Sequence, residues 1–413
     1  MINRAVVAMC AAQVCAQIGA FSVAALIPTL MAAWGLTNTE AGWISGIYYA
    51  AYTLVVPLLS SLTDRVDPKR VYLASVAVTA IAFAGFAWIA GGFWSALAFR
   101  ALMGAGWAGS YMPGLKALSD AAEGPQQSRA VAAHAAAVGV SGALSFGVAG
   151  AVNAWLGWQW ALVPGAAGAA LAFLIVLVGL PGRVPEPPKA GRGALLDFRP
   201  VLRNRSALAY SLAYCVHTWE MSALRGWVVA FLTFCAAQTG SGWTPIAPAT
   251  VASAMGLLGV WASVWGNELS IRFGRRRFIL GTMLASAAMA GGIGFSAALP
   301  YAAAAAVVLV YAMLIWWDSS SLTAGSAGSA EPGRRGATLA VHSTLGYAGG
   351  FLGPLALGAT LDLFGGAGVI AWGFAFGHVT LALLAGTAVF LWLRPADLEG
   401  DRRAVKGRRA VTA

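Results

Sequence analysis

A charged segment followed by a long uncharged one decides the fold class of this chain. Residues 60–90 read SSLTDRVDPKR and then VYLASVAVTAIAFAGFAWIA, so five charged residues precede twenty positions without any charge. Twenty apolar residues at helical rise cross the hydrocarbon core of a bilayer, which is about 30 Å thick. Residues 71–90 are therefore predicted to span a membrane, beginning beside a polar loop.

The composition of the whole chain agrees with this local prediction. Hydrophobic residues make up 59% of the 413 positions and charged residues only 10%, whereas soluble domains carry about 25% charged residues. A protein surface with so little charge faces lipid. The composition therefore excludes a chain made of two or three soluble domains. The four cysteines, Cys10, Cys15, Cys215 and Cys235, lie in apolar runs, so neither a disulfide framework nor a metal-binding CxxC is predicted.

Twelve apolar runs have the length of a membrane span. The longest polar interruption, residues 181–206, follows the sixth run and carries six Lys or Arg residues. We therefore predict an N-terminal six-helix bundle over 1–180, a cytoplasmic linker over 181–206, a C-terminal six-helix bundle over 207–394 and a cytoplasmic basic tail over 395–413. The predicted spans are 5–31, 40–62, 71–90, 93–115, 130–152, 158–180, 207–236, 248–271, 278–299, 301–322, 339–361 and 369–393.

The positive charges predict the orientation of the chain. Short loops rich in Lys and Arg stay in the cytoplasm, and with both termini inside, 24 of the 26 Lys and Arg residues fall on the inner side. The other two, Arg100 and Arg225, lie within spans. The formal net charge of +11 then reflects attraction to anionic lipid and indicates no nucleic-acid partner. We expect a bacterial-type inner (plasma) membrane location and a monomer.

The two halves of the chain repeat each other. An offset of 207 residues aligns 60–70 with 267–277, matching Leu62 with Leu269, Arg65 with Arg272 and the final basic pair. The same offset carries Gly142 onto Gly349. Two matches in one register at half the chain length indicate duplicated six-helix units.

Several of these segments resemble the major facilitator superfamily of secondary transporters. The loop after span 2 is similar to the family signature Gly-x-Leu-Ala-Asp-Arg-x-Gly-Arg-Arg, with Ser60 and Asp67 in place of its glycines and Ile271 in place of the acid in the second copy. Residues 139–150 resemble its glycine-rich fifth-span motif. The matching stretches are Leu62-Thr63-Asp64-Arg65, Lys69-Arg70, Arg272 with Gly274-Arg275-Arg276, and the Arg-x-x-x-Gly-x-Gly element Arg100 to Gly106.

The resemblance implies an all-α membrane fold of 12 transmembrane helices in two pseudo-symmetric bundles. It also implies alternating access, in which the halves expose a central cavity to each side in turn. Conformational gating is expected at Asp64, Arg65, Lys69 and Arg272. Contact of Asp64 with the helix start near Ala337 would favour the state closed to the cytoplasm. The alternative is that these are ordinary solvated charges at helix ends.

Ionisable residues inside the spans are the candidate functional groups, because a buried charge is costly unless it serves a pathway or a partner. His217 and Glu220 stand three positions apart on one face of span 7, and Arg225 follows. We predict proton coupling at Glu220 and Asp318. Substrate binding is predicted at Arg100, Tyr111, His217 and Arg225. A static salt bridge that fixes span 7 is the alternative.

Other polar residues in the spans have simpler interpretations. Arg100, Gly104, Trp107 and Tyr111 share one helical stripe, which either lines a cavity or packs against neighbouring helices. The remaining single histidines, His134, His342 and His378, are expected to be hydrogen-bonded core residues. Thr37 and Glu40 fit a capping box at the start of span 2.

No enzymatic motif is found in the sequence. The patterns GxxxxGK[ST], HExxH and GxSxG are absent, so no cofactor, metal or enzymatic activity is predicted. The leading hypothesis is a secondary transporter of a small anion or organic acid, driven by protons. The alternatives are an exporter of hydrophobic or drug-like compounds and a membrane sensor or enzyme without transport.

Overall fold

The computed structural model describes residues 4–63, 65–120, 124–182, 198–238, 246–332, 334–366, 368–399 and 401. All regular structure in these residues is helical. Twelve long helical segments follow one another in the order predicted from the sequence. Ten of them, searched over the described residues, are long and apolar enough to cross a membrane.

The helical segments are numbered here as spans 1–12. A five-residue helix, Arg199–Arg203, precedes span 7. The spans are Arg4–Gln17 with Ser22–Trp34, Asn38–Leu62, Pro68–Trp88, Phe93–Asp120, Gly124–Leu156, Trp158–Ala161 with Val163–Gly179, Arg205–Gln238, Pro248–Phe273, Arg275–Ile293 with the 3₁₀ turn Gly294–Ala298, Tyr301–Trp317 with Ser319–Gly328, Arg335–Leu363, and Val369–Leu393.

Most helices extend past the apolar runs that predicted them. Span 5 begins at Gly124 instead of 130, and span 11 begins at Arg335 instead of 339. Hydropathy marks only the part of a helix that fits the hydrocarbon, while backbone hydrogen bonding continues into the polar turns beyond it. The sequence therefore located the spans and underestimated their lengths.

Three spans are broken, which the sequence analysis did not predict. Span 6 is interrupted at Leu162, and the other two breaks lie in spans 1 and 10. Span 1 is interrupted between Gln17 and Ser22, and span 10 is interrupted at Asp318. Gly19 lies at the first break, where a Cβ atom would stand 2.5 Å from Phe83 Cζ and 2.7 Å from Gly165 Cα. The chain therefore passes its neighbours so closely there that only a glycine fits.

Local capping fixes where two spans begin. Thr37 and Glu40 form the predicted capping box, with Glu40 N donating to Thr37 Oγ1 at 3.1 Å and Thr37 N donating to Glu40 Oε2 at 2.9 Å. Span 3 begins with Pro68 after Asp67, whose Oδ1 accepts a hydrogen bond from Lys69 N at 2.9 Å. Both arrangements satisfy N–H groups that a helix start leaves free.

The chain forms two compact units. Unit 1 comprises Met1–Ala190, Arg225–Phe234 and Gly242–Leu257, and unit 2 comprises Gly191–Leu224, Cys235–Ser241 and Leu258–Ala413. In unit 1 one buried apolar cluster joins residues of spans 1, 3, 4, 5 and 6, including Met9, Tyr72 and Val176. In unit 2 a cluster joins spans 7, 9, 10 and 12, including Tyr210 and Met283.

Candidate functional site

Two of the three ionisable residues predicted in span 7 are buried inside unit 2. His217 and Glu220 are each 2% exposed and stand about one helical turn apart on Arg205–Gln238. Placing ionisable side chains in a membrane protein interior carries a large desolvation cost. Their surroundings must therefore supply partners.

His217 finds its partner on span 10. Its Nδ1 lies 2.9 Å from Asp318 Oδ1, and Asp318 occupies the break between Tyr301–Trp317 and Ser319–Gly328. At the N-cap position Asp318 also faces the positive end of the ten-residue helix that follows. The two side chains thus stand within ion-pair distance of each other at the break, although neither facing atom makes a well-aligned hydrogen bond among the described residues.

Glu220 lies beside two hydroxyl groups that the sequence analysis did not name. Tyr311 of span 10 and Ser286 of span 9 are the neighbours of its carboxyl group, and Asp318 acts on it through space. Glu220 Oε1, Tyr311 Oη and Ser286 Oγ are buried and lack a well-aligned hydrogen-bond partner among the described residues. These three polar groups therefore lie close together in the interior of unit 2.

A stack of three rings adjoins the His217–Asp318 pair. The Tyr214 ring lies 4.1 Å from the His342 ring, at 16° between planes, and 5.5 Å from the His217 ring, at 15°. Gly346 makes room for this stack, because a Cβ atom there would collide with Tyr214. Spans 7 and 11 are thus joined by aromatic contact at the level of the ionisable residues.

Arg100 is the buried cation of unit 1. It is 2% exposed, its Nη2 donates to Ala20 O at 3.2 Å at the break in span 1, and its guanidinium lies 4.1 Å from the centre of the Tyr48 ring. No carboxylate of the described residues lies within ion-pair distance of Arg100. Its guanidinium therefore contacts a carbonyl, a ring face and the Met103 sulfur, to which Nη1 donates at 3.7 Å.

The predicted stripe on span 4 is part of an aromatic cluster. Trp107 stacks on Tyr48 with centroids 5.1 Å apart and lies 4.3 Å from Tyr52, while Tyr111 stacks on His134 at 5.6 Å. Gln17, Tyr48 and Trp107 line an internal cavity of about 10 Å³, which has room for one water molecule. The stripe is packed against its own unit here, with little open space.

Arg225 belongs by its contacts to unit 1, whereas Glu220 belongs to unit 2. The Arg225 guanidinium lies 4.8 Å from the centre of the Phe21 ring, and Phe21 N donates to Ser145 Oγ at 3.0 Å. This cation therefore stands next to the break in span 1, as Arg100 does. Both arginines of the predicted spans therefore contact residues near the break in span 1.

The residues predicted to act in gating lie in different surroundings. Asp64 is outside the described residues, and Arg65 and Arg272 are exposed. Lys69 Nζ donates to Leu177 O at 2.8 Å and also to Leu180 O. Its ammonium thereby satisfies carbonyls that the end of span 6 leaves free.

The second loop instead buries Arg275, which the sequence analysis named only as part of the loop motif and not as a gating residue. Arg275 Nη2 lies 3.2 Å from Asp401 Oδ1 and Nη1 donates to Asn267 Oδ1 at 3.1 Å. Arg276 N donates to Asp397 Oδ1 at 2.7 Å. The segment after span 12 was predicted as a basic tail, yet its described part carries the acids that bind this loop.

The three remaining histidines differ from one another. His378 accepts from Trp219 Nε1 at 3.0 Å and contacts Ala375 O, so both ring nitrogens are used, as predicted. His342 Nε2 lies 3.2 Å from Thr323 Oγ1, while Nδ1 has no partner among the described residues. His134 contradicts the prediction, because both its ring nitrogens lack a hydrogen-bond partner there.

Sequence reasoning missed Tyr214, Tyr311, Ser286 and His342 as neighbours of the ionisable pair. Tyr311 stands seven residues before Asp318 and shares its helix face, a spacing that could have pointed to it. The positions on spans 9 and 11 carry no such local signal. Among the described residues, no cluster of three His, Cys, Asp or Glu side chains suits a metal ion.

Comparison with known proteins places this geometry in a family. The chain aligns with Protein spinster homolog 1 of Xenopus laevis at 22% identity, over 51% of this chain but only 42% of that relative. The fold is similar to a bacterial homolog of the human lysosomal transporter Spinster in an inward-facing, occupied conformation, with a TM-score of 0.74, 15% identity and coverage of 94% and 96% of the two chains.

A second solved structure has the same fold. The nucleoside transporter NupG matches with a TM-score of 0.73, 13% identity and coverage of 94% of this chain and 98% of its own. The model of the Major Facilitator Superfamily matches residues 9–317. Because this model covers about three quarters of the sequence, the chain belongs to the Major Facilitator Superfamily.

Proposed function

We propose that this protein is a proton-coupled secondary transporter of a small anion or organic acid, working by alternating access. The observation that carries the proposal is the buried His217–Asp318 contact of 2.9 Å at the break in span 10. Broken helices in transporters place helix ends and free backbone groups at substrate and ion sites. A titratable pair at such a break is suited to bind and release protons.

Glu220 extends the proton site. Its carboxyl group lies beside Tyr311 and Ser286 and within electrostatic reach of Asp318. Two acids that influence each other take up protons in a coupled way. Proton coupling at Glu220 and Asp318, with His217 as the partner of Asp318, is the role we assign to unit 2.

The charge of unit 1 supports an anionic solute. Arg100 is buried without a carboxylate partner among the described residues, and Arg225 lies near the same break in span 1. A buried cation that lacks an acid has unused capacity for an anionic group. Tyr111, on the same stripe as Arg100, is proposed as a further contact to the solute.

The remaining proposals concern placement and gating. The Lys and Arg distribution favours cytoplasmic termini in an inner membrane of bacterial type. We assign gating to the loop of Asp64, Arg65 and Lys69 and to its repeat at Arg272, because Lys69 ties span 3 to the end of span 6. We propose a monomer as the transporting form.

An exporter of hydrophobic compounds is the second candidate. The observation that favours it is the cluster of Tyr48, Tyr52 and Trp107, with ring centroids 4.3 to 5.1 Å apart. Such rings offer apolar contact area in a solute pathway. The buried acids and Arg100 have no evident use in moving a neutral hydrophobic solute.

Transport by purified protein in liposomes tests the first candidate. An imposed pH gradient should drive uptake of at least one radiolabelled anion from a panel of succinate, lactate, benzoate and inorganic phosphate. Asp318→Asn should abolish this accumulation and retain solute exchange, which needs no net proton movement. Arg277→Gln, at an exposed position, is the matched control for surface charge.

Two results would reject proton-coupled anion transport. One is wild-type uptake that ignores the pH gradient for every anion of the panel. The other is transport of a neutral lipophilic dye that survives both Asp318→Asn and Arg100→Gln, which would favour the exporter instead.

A further inference from the structure

We propose that His342 is a second proton-binding group of unit 2, which exchanges protons with the His217–Asp318 pair. This inference rests on the proposed proton-coupled function and extends it. It adds a residue of span 11 to a site built from spans 7 and 10. It also provides a path by which protons reach the pair from the predicted cytoplasmic end of the helices.

The first support is the ring stack. Tyr214 contacts His342 at 4.1 Å and His217 at 5.5 Å between centroids, with both imidazoles nearly parallel to the phenol ring. An aromatic face stabilises a neighbouring imidazolium through the ring quadrupole. Tyr214 can therefore support the proton on either histidine.

The second support is the hydrogen bonding of His342. It is 2% exposed, and Nε2 lies 3.2 Å from Thr323 Oγ1. A threonine hydroxyl donates or accepts, so this contact fits both the neutral and the charged imidazole. Nδ1 has no partner among the described residues, which leaves one nitrogen available for a proton or a water molecule.

The third support is the position of each group along its helix. His342 stands seven residues after the start of Arg335–Leu363, and His217 stands twelve after the start of Arg205–Gln238. At 1.5 Å per residue these are about 10 Å and about 18 Å of helix. With both starts on the predicted cytoplasmic side, His342 lies nearer to the cytoplasm than the pair it would serve.

The titratable groups around His342 are few in the described part of unit 2. Span 7 contributes Tyr214 and His217, and span 10 contributes Asp318 near His217. His378 of span 12 is hydrogen-bonded elsewhere, to Trp219 and Ala375. Arg334 and Arg335 stand at the beginning of span 11 itself, two turns away.

The charges also dictate an order of occupation. Both imidazoles stack on the same tyrosine ring, and Asp318 stands 2.9 Å from His217. Two protonated histidines on one tyrosine would repel each other in this low-dielectric interior. One proton at a time therefore occupies the stack, and its movement to His217 frees His342 for the next.

Nuclear magnetic resonance of the full chain, labelled with ¹⁵N-histidine and held in detergent micelles, tests proton binding directly. The four histidines are assigned by single substitutions and titrated from pH 5 to 9. We expect His217→Gln to move the titration midpoint of His342 by about half a pH unit or more. His378→Gln should leave it unchanged.

Transport separates proton relay from packing. His342→Gln should reduce pH-driven accumulation of the transported panel anion about fivefold or more. Solute exchange should stay within about twofold of wild type, because exchange needs no net proton transfer. Thr323→Val, which removes only the hydroxyl partner of His342, should shift the pH profile of uptake in a protein of normal fold.

Three results overturn the proposal. The first is a His342 ring that stays neutral throughout the titration. The second is full accumulation by both variants, and the third is an equal loss of exchange and accumulation, which would indicate a packing role. A wild-type protein that ignores the pH gradient would instead reject the proposed function, while the titration still decides whether His342 and His217 share protons.

Discussion

The two halves of the chain place different chemistry at equivalent positions. The 207-residue offset of the repeat carries Gln13 onto Glu220 and Tyr111 onto Asp318, and His134 lies only one position from the equivalent of His342. Unit 1 thus holds an amide and a phenol where unit 2 holds two acids. At these positions unit 1 carries uncharged polar side chains, whereas unit 2 carries carboxyl groups that can be charged.

The loops of the two halves also correspond. Lys69 and Arg276 are equivalent by the same offset. In unit 1 the Lys69 side chain binds the end of span 6, and in unit 2 Arg275 and Arg276 bind the segment after span 12. Each loop therefore binds the end of the last span in its own half, or the segment that follows it. The loop side chain or backbone contacts carbonyl groups in unit 1 and carboxylates in unit 2.

The largest expected effect comes from making unit 2 resemble unit 1. Glu220→Gln restores the amide found at Gln13 and removes one titratable group. Because proton and solute binding are linked through a coupling free energy, we expect pH-driven accumulation to fall about 100-fold. Exchange should persist. Uptake assays in liposomes check this, and accumulation at the wild-type level would remove Glu220 from the proton site.

The second effect concerns the loop contact of unit 2. Asp401→Asn weakens the buried pair with Arg275, so we expect the free energy of unfolding to fall by about 2 kcal/mol. Thermal unfolding of the purified protein measures the change. Glu399→Gln, at an exposed neighbouring position, is the control and should leave the midpoint unchanged. Equal midpoints for all three proteins would contradict a structural role for the pair.

A smaller effect is expected from the cation of unit 1. Arg100→Gln keeps a hydrogen-bond donor towards Ala20 O and removes the charge. We expect anion uptake to fall about tenfold, the usual size of one charged hydrogen bond. Initial rates over a range of anion concentrations test this, and a rise in KM with unchanged maximal rate would indicate a role in binding.

The smallest effect should come from Gln13, which is fully buried with both amide atoms lacking a partner among the described residues. Gln13→Met keeps the shape and removes the unpaired groups, so stability should rise by about 1 kcal/mol. Gln238→Met at an exposed helix end serves as control. Loss of stability would show that Gln13 has a partner in the membrane.

Composition and charge placement sufficed to predict the helical segments and their order. Every predicted span coincides with an observed helix, because an apolar run of this length has few other folds available. The ionisable residues were equally visible, since charges such as Arg100, Glu220 and Asp318 are rare in spans. Both inferences depend on local sequence.

What the sequence could not provide are the contacts between distant segments. The pairing of His217 with Asp318 joins positions on spans 7 and 10, and nothing local distinguishes it from a pairing of His217 with Glu220. The break at Asp318 is equally hidden, because the run of serines after it is compatible with a continuous helix. Arg272 is exposed and Arg275 is buried, a difference that the sequence of the loop does not show.

The loop contacts also set an order of events during synthesis of the chain. Lys69 is made 108 residues before Leu177, whose carbonyl it binds, and Arg275 is made 126 residues before Asp401. The cationic loop of each half is therefore synthesised well before the segment that its side chains bind. The loop contacts of either half can form only after that later segment has been synthesised.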